Sequence, residues 1–205
     1  MNSKAKFVNS VNANQAAFEL SLQPEHVDRL ADYYDLVQEN NPLLHLVGPC
    51  SPEEFATRHI LESLTLLTHL PQNSRFVDIG AGAGLPSIPC LIVRDDLHAA
   101  LIESKEKKAK FLNSAITELE LDERARVVNR QFEEASPGEA KFVTCRALDK
   151  FSEKLPQLLK WCGNRSLLFF GGSALGDEMR KRGLKVEAAL LMPLSERRFL
   201  FVTKE

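Results

Sequence analysis

The chain has 205 residues, 44% hydrophobic and 26% charged, which suits one α/β domain with a modest appendage and excludes a disordered or low-complexity protein. Its formal net charge of -2 carries no global signature of a nucleic-acid binder, so any contact with a polyanion has to use local basic patches. The start, 1–15, is polar and lacks the apolar core of a secretory signal, and no apolar run is long enough to span a bilayer; a cytoplasmic protein is expected.

Val27, Leu30, Ala31, Tyr34 and Leu36 recur at helical spacing and predict a helix over 24–39, ended by Asn40-Asn41-Pro42. Ser51-Pro52-Glu53-Glu54 opens a second helix, in which Ser51 caps, Pro52 takes the first helical position and Glu54 completes a capping box. It is expected to run to about His69, before Pro71. Beyond Pro71 short β-branched runs alternate with amphipathic stretches, the texture of βαβ units around a parallel sheet. Strands are predicted over 75–80, 99–103, 126–129, 142–146, 166–170, 185–191 and 197–203, with helices over 86–92, 105–119, 152–161 and 175–181. Only a short link around Pro193 and Ser195 joins the last two strands, so they should pair antiparallel; a parallel pair needs a long crossover. The expected division is a helical extension, 1–70, packed on a core, 71–205, as a single structural unit.

Cys50, Cys90, Cys145 and Cys162 are far apart and form no CxxC pair, and no histidine stands at ligand spacing; reduced thiols and no metal site are expected. Basic clusters occur at Lys105, Lys107, Lys108 and Lys110, at Arg180, Lys181 and Arg182, and at Arg197 and Arg198. Solvated faces and local polyanion contacts are both open to them.

The segment Phe76-Val77-Asp78-Ile79-Gly80-Ala81-Gly82-Ala83-Gly84-Leu85-Pro86 runs an apolar strand into a glycine-rich turn and a proline-started helix. Small residues at Gly80, Gly82 and Gly84 let backbone approach a ligand closely. A dinucleotide fingerprint counted from Gly80 would need its third glycine where Leu85 stands, and Asp78 would repel a diphosphate, so a nicotinamide oxidoreductase fits poorly. A carboxylate there suits a cofactor with an ammonium and a cationic sulfur, the charges of S-adenosylmethionine. Glu103, ending the second strand, stands where such folds place an acid on ribose hydroxyls.

Read together, Asp78-Ile79-Gly80-Ala81-Gly82-Ala83-Gly84-Leu85-Pro86-Ser87-Ile88-Pro89 resembles the signature of the RsmG family, also called GidB, the ribosomal RNA small-subunit methyltransferase G enzymes. Arg58-His59-Ile60-Leu61-Glu62-Ser63, Ile102-Glu103-Ser104 with Lys107-Lys108 and Phe111-Leu112, Gln131-Phe132-Glu133-Glu134, and Thr144-Cys145-Arg146-Ala147 match further family segments. The chain departs from the family pattern at Glu62 for aspartate, Leu85 for phenylalanine, Phe132 and Cys145 for alanine, and Gly171-Gly172 for a lysine-glycine pair. The resemblance implies a Rossmann-like class I methyltransferase: an α/β fold with a seven-stranded, mostly parallel sheet, an antiparallel terminal strand and added N-terminal helices. It implies methyl transfer from S-adenosylmethionine to ring nitrogen 7 of a guanine in 16S ribosomal RNA, free or in the small subunit, by an enzyme expected to be a monomer.

By the same resemblance Gly80 and Leu85 contact the cofactor, Phe132 and Glu133 flank its adenine, and Arg146 lines the pocket as the candidate catalytic residue. A solvated loop acid remains the rival role for Glu133 and a surface salt bridge for Arg146. His59 shares a helix face with Glu62 and Ser63, which suits RNA binding, pocket closure or helix packing. Guanine nitrogen 7 has a free lone pair, so no general base is needed. Cytosine-carbon methylation would need a cysteine nucleophile, for which Cys90 and Cys145 are the candidates. Two other functions stay open: a small-molecule methyltransferase, and a catalytically impaired, cofactor-binding protein that interacts with RNA.

Overall fold

The computed structural model describes residues 2–146 and 151–203; Ala147 of the quoted segments and the residues after Thr203 lie outside them. The strands are β1 (Arg75–Ile79), β2 (His98–Ile102), β3 (Ala125–Val128), β4 (Phe142–Arg146), β5 (Ser166–Gly171), β6 (Val186–Leu191) and β7 (Phe199–Thr203). They form one sheet in the order β3-β2-β1-β4-β5-β7-β6. The first five run parallel, and β7 enters antiparallel between β5 and β6. The last two strands therefore pair as the short link between them requires. After β3 the chain crosses to the other side of β1, so a switch point lies between β1 and β4, where open α/β sheets bind ligands at the carboxyl ends of their strands.

Alternation along the strands separates two apolar layers. Phe76, Leu101, Leu168, Phe170, Leu200 and Val202 face one layer, and Val77, Ile79, Ile102, Val143, Phe169 and Phe201 the other. The first layer is covered by α5 (Ser87–Val93), α6 (Glu106–Glu118) and the N-terminal helices; the second by α7 (Phe151–Cys162) and α8 (Ser173–Lys181). By the same alternation Asp78 and Arg146 point toward the N-terminal helices, which proves decisive for the site.

The polar start, in which the hydropathy pattern predicts no element, forms α1 (Ser3–Asn14), with Asn2 Oδ1 accepting the Ala5 N–H at 2.8 Å. Its buried apolar residues are Phe7 and Val11, one turn apart, with Val8 packed partly buried beside them and Phe7 stacked on Tyr34 at 4.7 Å between centroids. Truncating Phe7 to alanine should cost roughly 3–5 kcal/mol. The next helix, α2 (Pro24–Leu44), runs past the stop expected at Asn40-Asn41-Pro42. Pro42 sits in its last turn, where a missing amide forfeits a single helical hydrogen bond, and the helix ends at His45, at φ 49°, whose N–H reaches the Asn41 carbonyl.

Helical structure also covers the stretch after Ser51, and the capping box forms in full. It is not a uniform α-helix. A turn of α3 (Pro52–Glu54) leads into a π-helical segment, Phe55–Leu61, then α4 (Glu62–Leu64) and a 3₁₀ segment, Thr65–His69. Such π segments recur at functional sites.

Candidate active site

Between β1 and α5 the chain makes a tight loop. The Gly80 and Ala81 amides both donate to the Ile102 carbonyl, at 2.9 and 3.1 Å, and Gly84 N–H closes on Ala81 at 2.7 Å. From α2 the buried Tyr33 hydroxyl donates to the Ala83 carbonyl at 2.8 Å and fixes the loop from behind. Gly82 and Gly84 have different uses. A Cβ on Gly84, at φ +92°, would stand 2.4 Å from Ile88 Cδ1 and 3.2 Å from Leu112 Cδ2, so this glycine permits packing of α5 and α6. A Cβ on Gly82, at φ +56°, would meet only the Gly80 carbonyl, at 3.7 Å, which leaves this stretch of backbone open to a ligand. Leu85 is buried at the end of the loop, two residues ahead of α5.

Glu103, just past β2, is buried and held against that open backbone: its two oxygens accept the Gly82 N–H at 3.0 Å and the Lys105 N–H at 2.8 Å. A carboxylate offers about four lone-pair sites. The two that remain suit the vicinal hydroxyls of a ribose, and the open glycine backbone beside them suits a nucleoside cofactor. Asp78 lies deeper. It is fully buried behind the loop, its Oδ2 accepts from Ser87 Oγ at 2.7 Å, and among the described residues Oδ1 has no hydrogen-bond partner. Burial pushes its carboxyl up to about 7, with the negative charge of Glu103 adding to the effect.

After β3, Phe132 and Glu133 form a short 3₁₀ turn. The Phe132 ring is buried edge-on against Trp161, 6.1 Å between centroids, so its side chain serves the core and leaves the backbone for any contact with adenine. Glu133 is exposed.

Arg146 ends β4, one residue beyond Cys145, which pairs with Ile79 at the threshold of the glycine loop. It turns into the protein: Nη1 donates to Ser63 Oγ at 3.2 Å, Nη2 donates to the Arg58 carbonyl and to Glu62 Oε2 at 3.3 Å, and the guanidinium lies 5.5 Å from the centre of the Phe170 ring. The rival expected for Arg146, a surface salt bridge, is replaced by a buried one. The other Glu62 oxygen accepts from Arg198 Nε at 2.7 Å. The Glu62–Arg198 pairing joins residues far apart in the chain; the only hint in the sequence was Glu62 beside His59 and Arg198 within a basic pair. His59 rests on the Phe55 ring, 5.1 Å away, and burial together with the nearby arginines holds its imidazole near 3, so it is neutral at physiological pH.

Cys90 and Cys145 are buried, and the Cys90 thiol, which donates to the Ser63 carbonyl, is pushed up by burial, a poor setting for a nucleophile. Among the described residues no group of three or more His, Cys, Asp or Glu side chains could hold a metal, and no helix is long and apolar enough to cross a membrane. A cavity of about 670 Å³, lined by Thr68, Leu70, Phe142 and Ser166 among others, lies at the opposite, amino-terminal end of the strands, away from the glycine loop.

Similarity to known proteins agrees with this geometry. Residues 26–195 match the family model described as rRNA small subunit methyltransferase G (GidB). The chain is 36% identical over 162 residues to the ribosomal RNA small subunit methyltransferase G of a Neisseria meningitidis serogroup C strain, covering 79% of this chain and 75% of that protein. It is 35% identical over 167 residues to the protein of that name from Klebsiella pneumoniae, covering 78% and 77%. Among solved structures, a SAM dependent methyltransferase from Aquifex aeolicus shares the fold with a TM-score of 0.59 at 13% identity, over 84% of this chain and 97% of that one. P. horikoshii TYW2 in complex with MeSAdo does so with a TM-score of 0.55 at 15% identity, over 72% and 63%. With the strand order, the glycine loop and the acid ending β2 all in place, this chain belongs to the rRNA small subunit methyltransferase G (GidB) family of S-adenosylmethionine-dependent methyltransferases.

Proposed function

We propose that the protein transfers a methyl group from S-adenosylmethionine to ring nitrogen 7 of a guanine in 16S ribosomal RNA. The observation that carries the cofactor half is Glu103, fixed by the Gly82 and Lys105 amides with lone pairs left over beside an open glycine backbone. In this reading Gly80, Gly82 and Glu103 hold the nucleoside, Phe132 and Glu133 flank the adenine, and Arg146 borders the reacting end. Asp78, Gly84 and Leu85, which the sequence also offers as cofactor contacts, serve in this reading from behind the loop, Asp78 through Ser87, Gly84 by admitting Ile88 and Leu112, and Leu85 by its own burial. The cofactor, when bound, supplies an electrophilic methyl group on a sulfonium.

The protein's own work is then to bind, align and exclude water. Guanine nitrogen 7 attacks through a free lone pair, so the neutral His59 and the buried Asp78 need not take a proton. Holding nucleophile and methyl carbon in line can account for up to ~7–11 kcal/mol of the barrier in favourable cases. RNA is gripped at a basic rim, with Arg146 inside and some of Arg58, Lys107, Lys108 and Arg197 outside. Lys107 and Arg197 are exposed, whereas Arg58 pairs with Glu54 at 3.2 Å and Lys108 Nζ donates to the His45 carbonyl at 3.0 Å. The enzyme acts in the cytoplasm, as a monomer, on free RNA or the small subunit.

The test is nucleoside mapping by mass spectrometry of small-subunit RNA from a strain lacking the gene, before and after treatment with purified protein and S-adenosylmethionine. One 7-methylguanosine should be missing and then restored. Restored methylation at another atom, or none, would overturn the assignment.

A further inference from the structure

Glu62 is the only charged residue of the N-terminal helices that is almost completely buried among the described residues. Its two carboxylate oxygens are divided between guanidiniums from distant parts of the chain: Oε2 accepts from Arg146 Nη2 at 3.3 Å, Oε1 from Arg198 Nε at 2.7 Å. Side-chain exposure rises outward, 2% for Glu62, 14% for Arg146 and 28% for Arg198, so the carboxylate forms the floor and the arginines rise from it.

The local backbone explains how the arrangement is possible. The Glu62 amide bonds to the Thr57 carbonyl rather than to that of Arg58, its α-helical partner. The Arg58 carbonyl then accepts from Arg146 Nη2, while Ser63 Oγ accepts from Nη1 and donates to the His59 carbonyl. The π segment is thus a socket for Arg146, and Glu62 extends it to Arg198, just ahead of β7. The joined pieces are the end of β4 beside the glycine loop, the N-terminal helices and the outer hairpin.

We propose that Glu62 is a positioning residue: by holding Arg146 and Arg198 on separate oxygens, it fixes one guanidinium beside the cofactor loop and presents the other at the RNA-facing mouth. The proposal rests on the rRNA methyltransferase function given above. Glutamine in its place has a single acceptor oxygen, and its amide group opposes a guanidinium donor, so it cannot serve both arginines.

The experiment uses Glu62→Gln, Glu62→Asp, Arg198→Gln and the Glu62→Gln/Arg198→Gln double variant in the full chain. Affinity for S-adenosylhomocysteine is measured by calorimetry, and KM and kcat on small-subunit RNA from a strain lacking the gene. Glu62→Gln should weaken S-adenosylhomocysteine at least tenfold and raise the RNA KM at least tenfold. Arg198→Gln should raise KM at least fivefold with cofactor affinity within twofold of wild type. In the double variant KM should rise no more than twofold beyond that of Glu62→Gln, because the two residues act as one unit. Single effects that multiply, or a Glu62→Gln protein whose kcat falls with KM and affinity unchanged, would overturn the proposal. If the amide does not fold, Glu62→Asp decides: it keeps the charge and is the residue of the family pattern, but in this chain both guanidiniums are set on glutamate oxygens, at 3.3 and 2.7 Å, and a side chain one methylene shorter loses one of them, so KM should rise at least threefold, and an unchanged KM refutes the idea. Wild-type protein that binds S-adenosylhomocysteine but methylates no small-subunit RNA would sink the function instead. The cofactor measurements on the same variants would still judge Glu62.

Discussion

Asp78 should make the protein less stable as pH rises through the acid range, and Asp78→Asn should remove that dependence. Folded Asp78 holds its proton up to about 7, against an ordinary value of 3.8, because burial disfavours the carboxylate. Between these values the folded state binds more protons at Asp78 than the unfolded one, so the contribution of this group to stability is greatest below about pH 4, falls toward pH 7 and is level above it. At about 1.36 kcal/mol per pH unit the whole interval comes to roughly 4 kcal/mol, of which roughly 3 kcal/mol lies above pH 5. Urea unfolding of both proteins at pH 5, 6, 7 and 8 isolates the contribution, since every other titrating group is shared. The variant's constant penalty, a buried amide in a place built for a carboxyl, cancels from the slope. Stability curves that run parallel within 1 kcal/mol would show that the folded protein keeps Asp78 ionised and that the unpartnered oxygen is solvated.

Gly84→Ala should cost about 3 kcal/mol of stability, from strain at positive φ and displacement of Ile88, whereas Gly82→Ala should cost only about 1 kcal/mol; thermal unfolding compares them. Gly82→Val should instead weaken S-adenosylhomocysteine at least tenfold by calorimetry, and unchanged affinity would remove the loop from the cofactor site. Cys90→Ser and Cys145→Ser should both retain methyl transfer; a covalent protein–RNA adduct that disappears in either variant would point to cytosine methylation. Removing Lys107 and Lys108 together should lower the dependence of log affinity on log salt for single-stranded RNA by about 0.7 for each phosphate these lysines neutralise, with cofactor affinity unaffected. An unchanged slope would exclude them from the rim.

Most of the fold was legible because it depends on local pattern. The strands from 75 onward fall within two residues of their predicted bounds, and the short link before β7 dictated an antiparallel hairpin. The glycine loop and Glu103 were readable for the same reason: the turn, its small residues and the acid ending the next strand follow one another in the chain. Helix α1 was not legible, since its burial rests on Phe7 meeting Tyr34 and Phe55, and a polar segment with two such residues carries no periodic signal. Helix α2 outruns the stop signal at Asn40-Asn41-Pro42 because proline is a weaker stop in a final turn than in a helix interior.

By itself the sequence determined the order of elements, the parallel sheet, the cofactor loop and, through resemblance, the family. Only the tertiary structure decided where charge goes. The alternation of β1 and β4 turns Asp78 and Arg146 inward, the π segment offers Arg146 a carbonyl that an α-helix would have occupied, and Glu62 meets Arg198 across 136 positions of chain. Composition and spacing record which charges exist, but burial and pairing are set by which surfaces the folded layers press together.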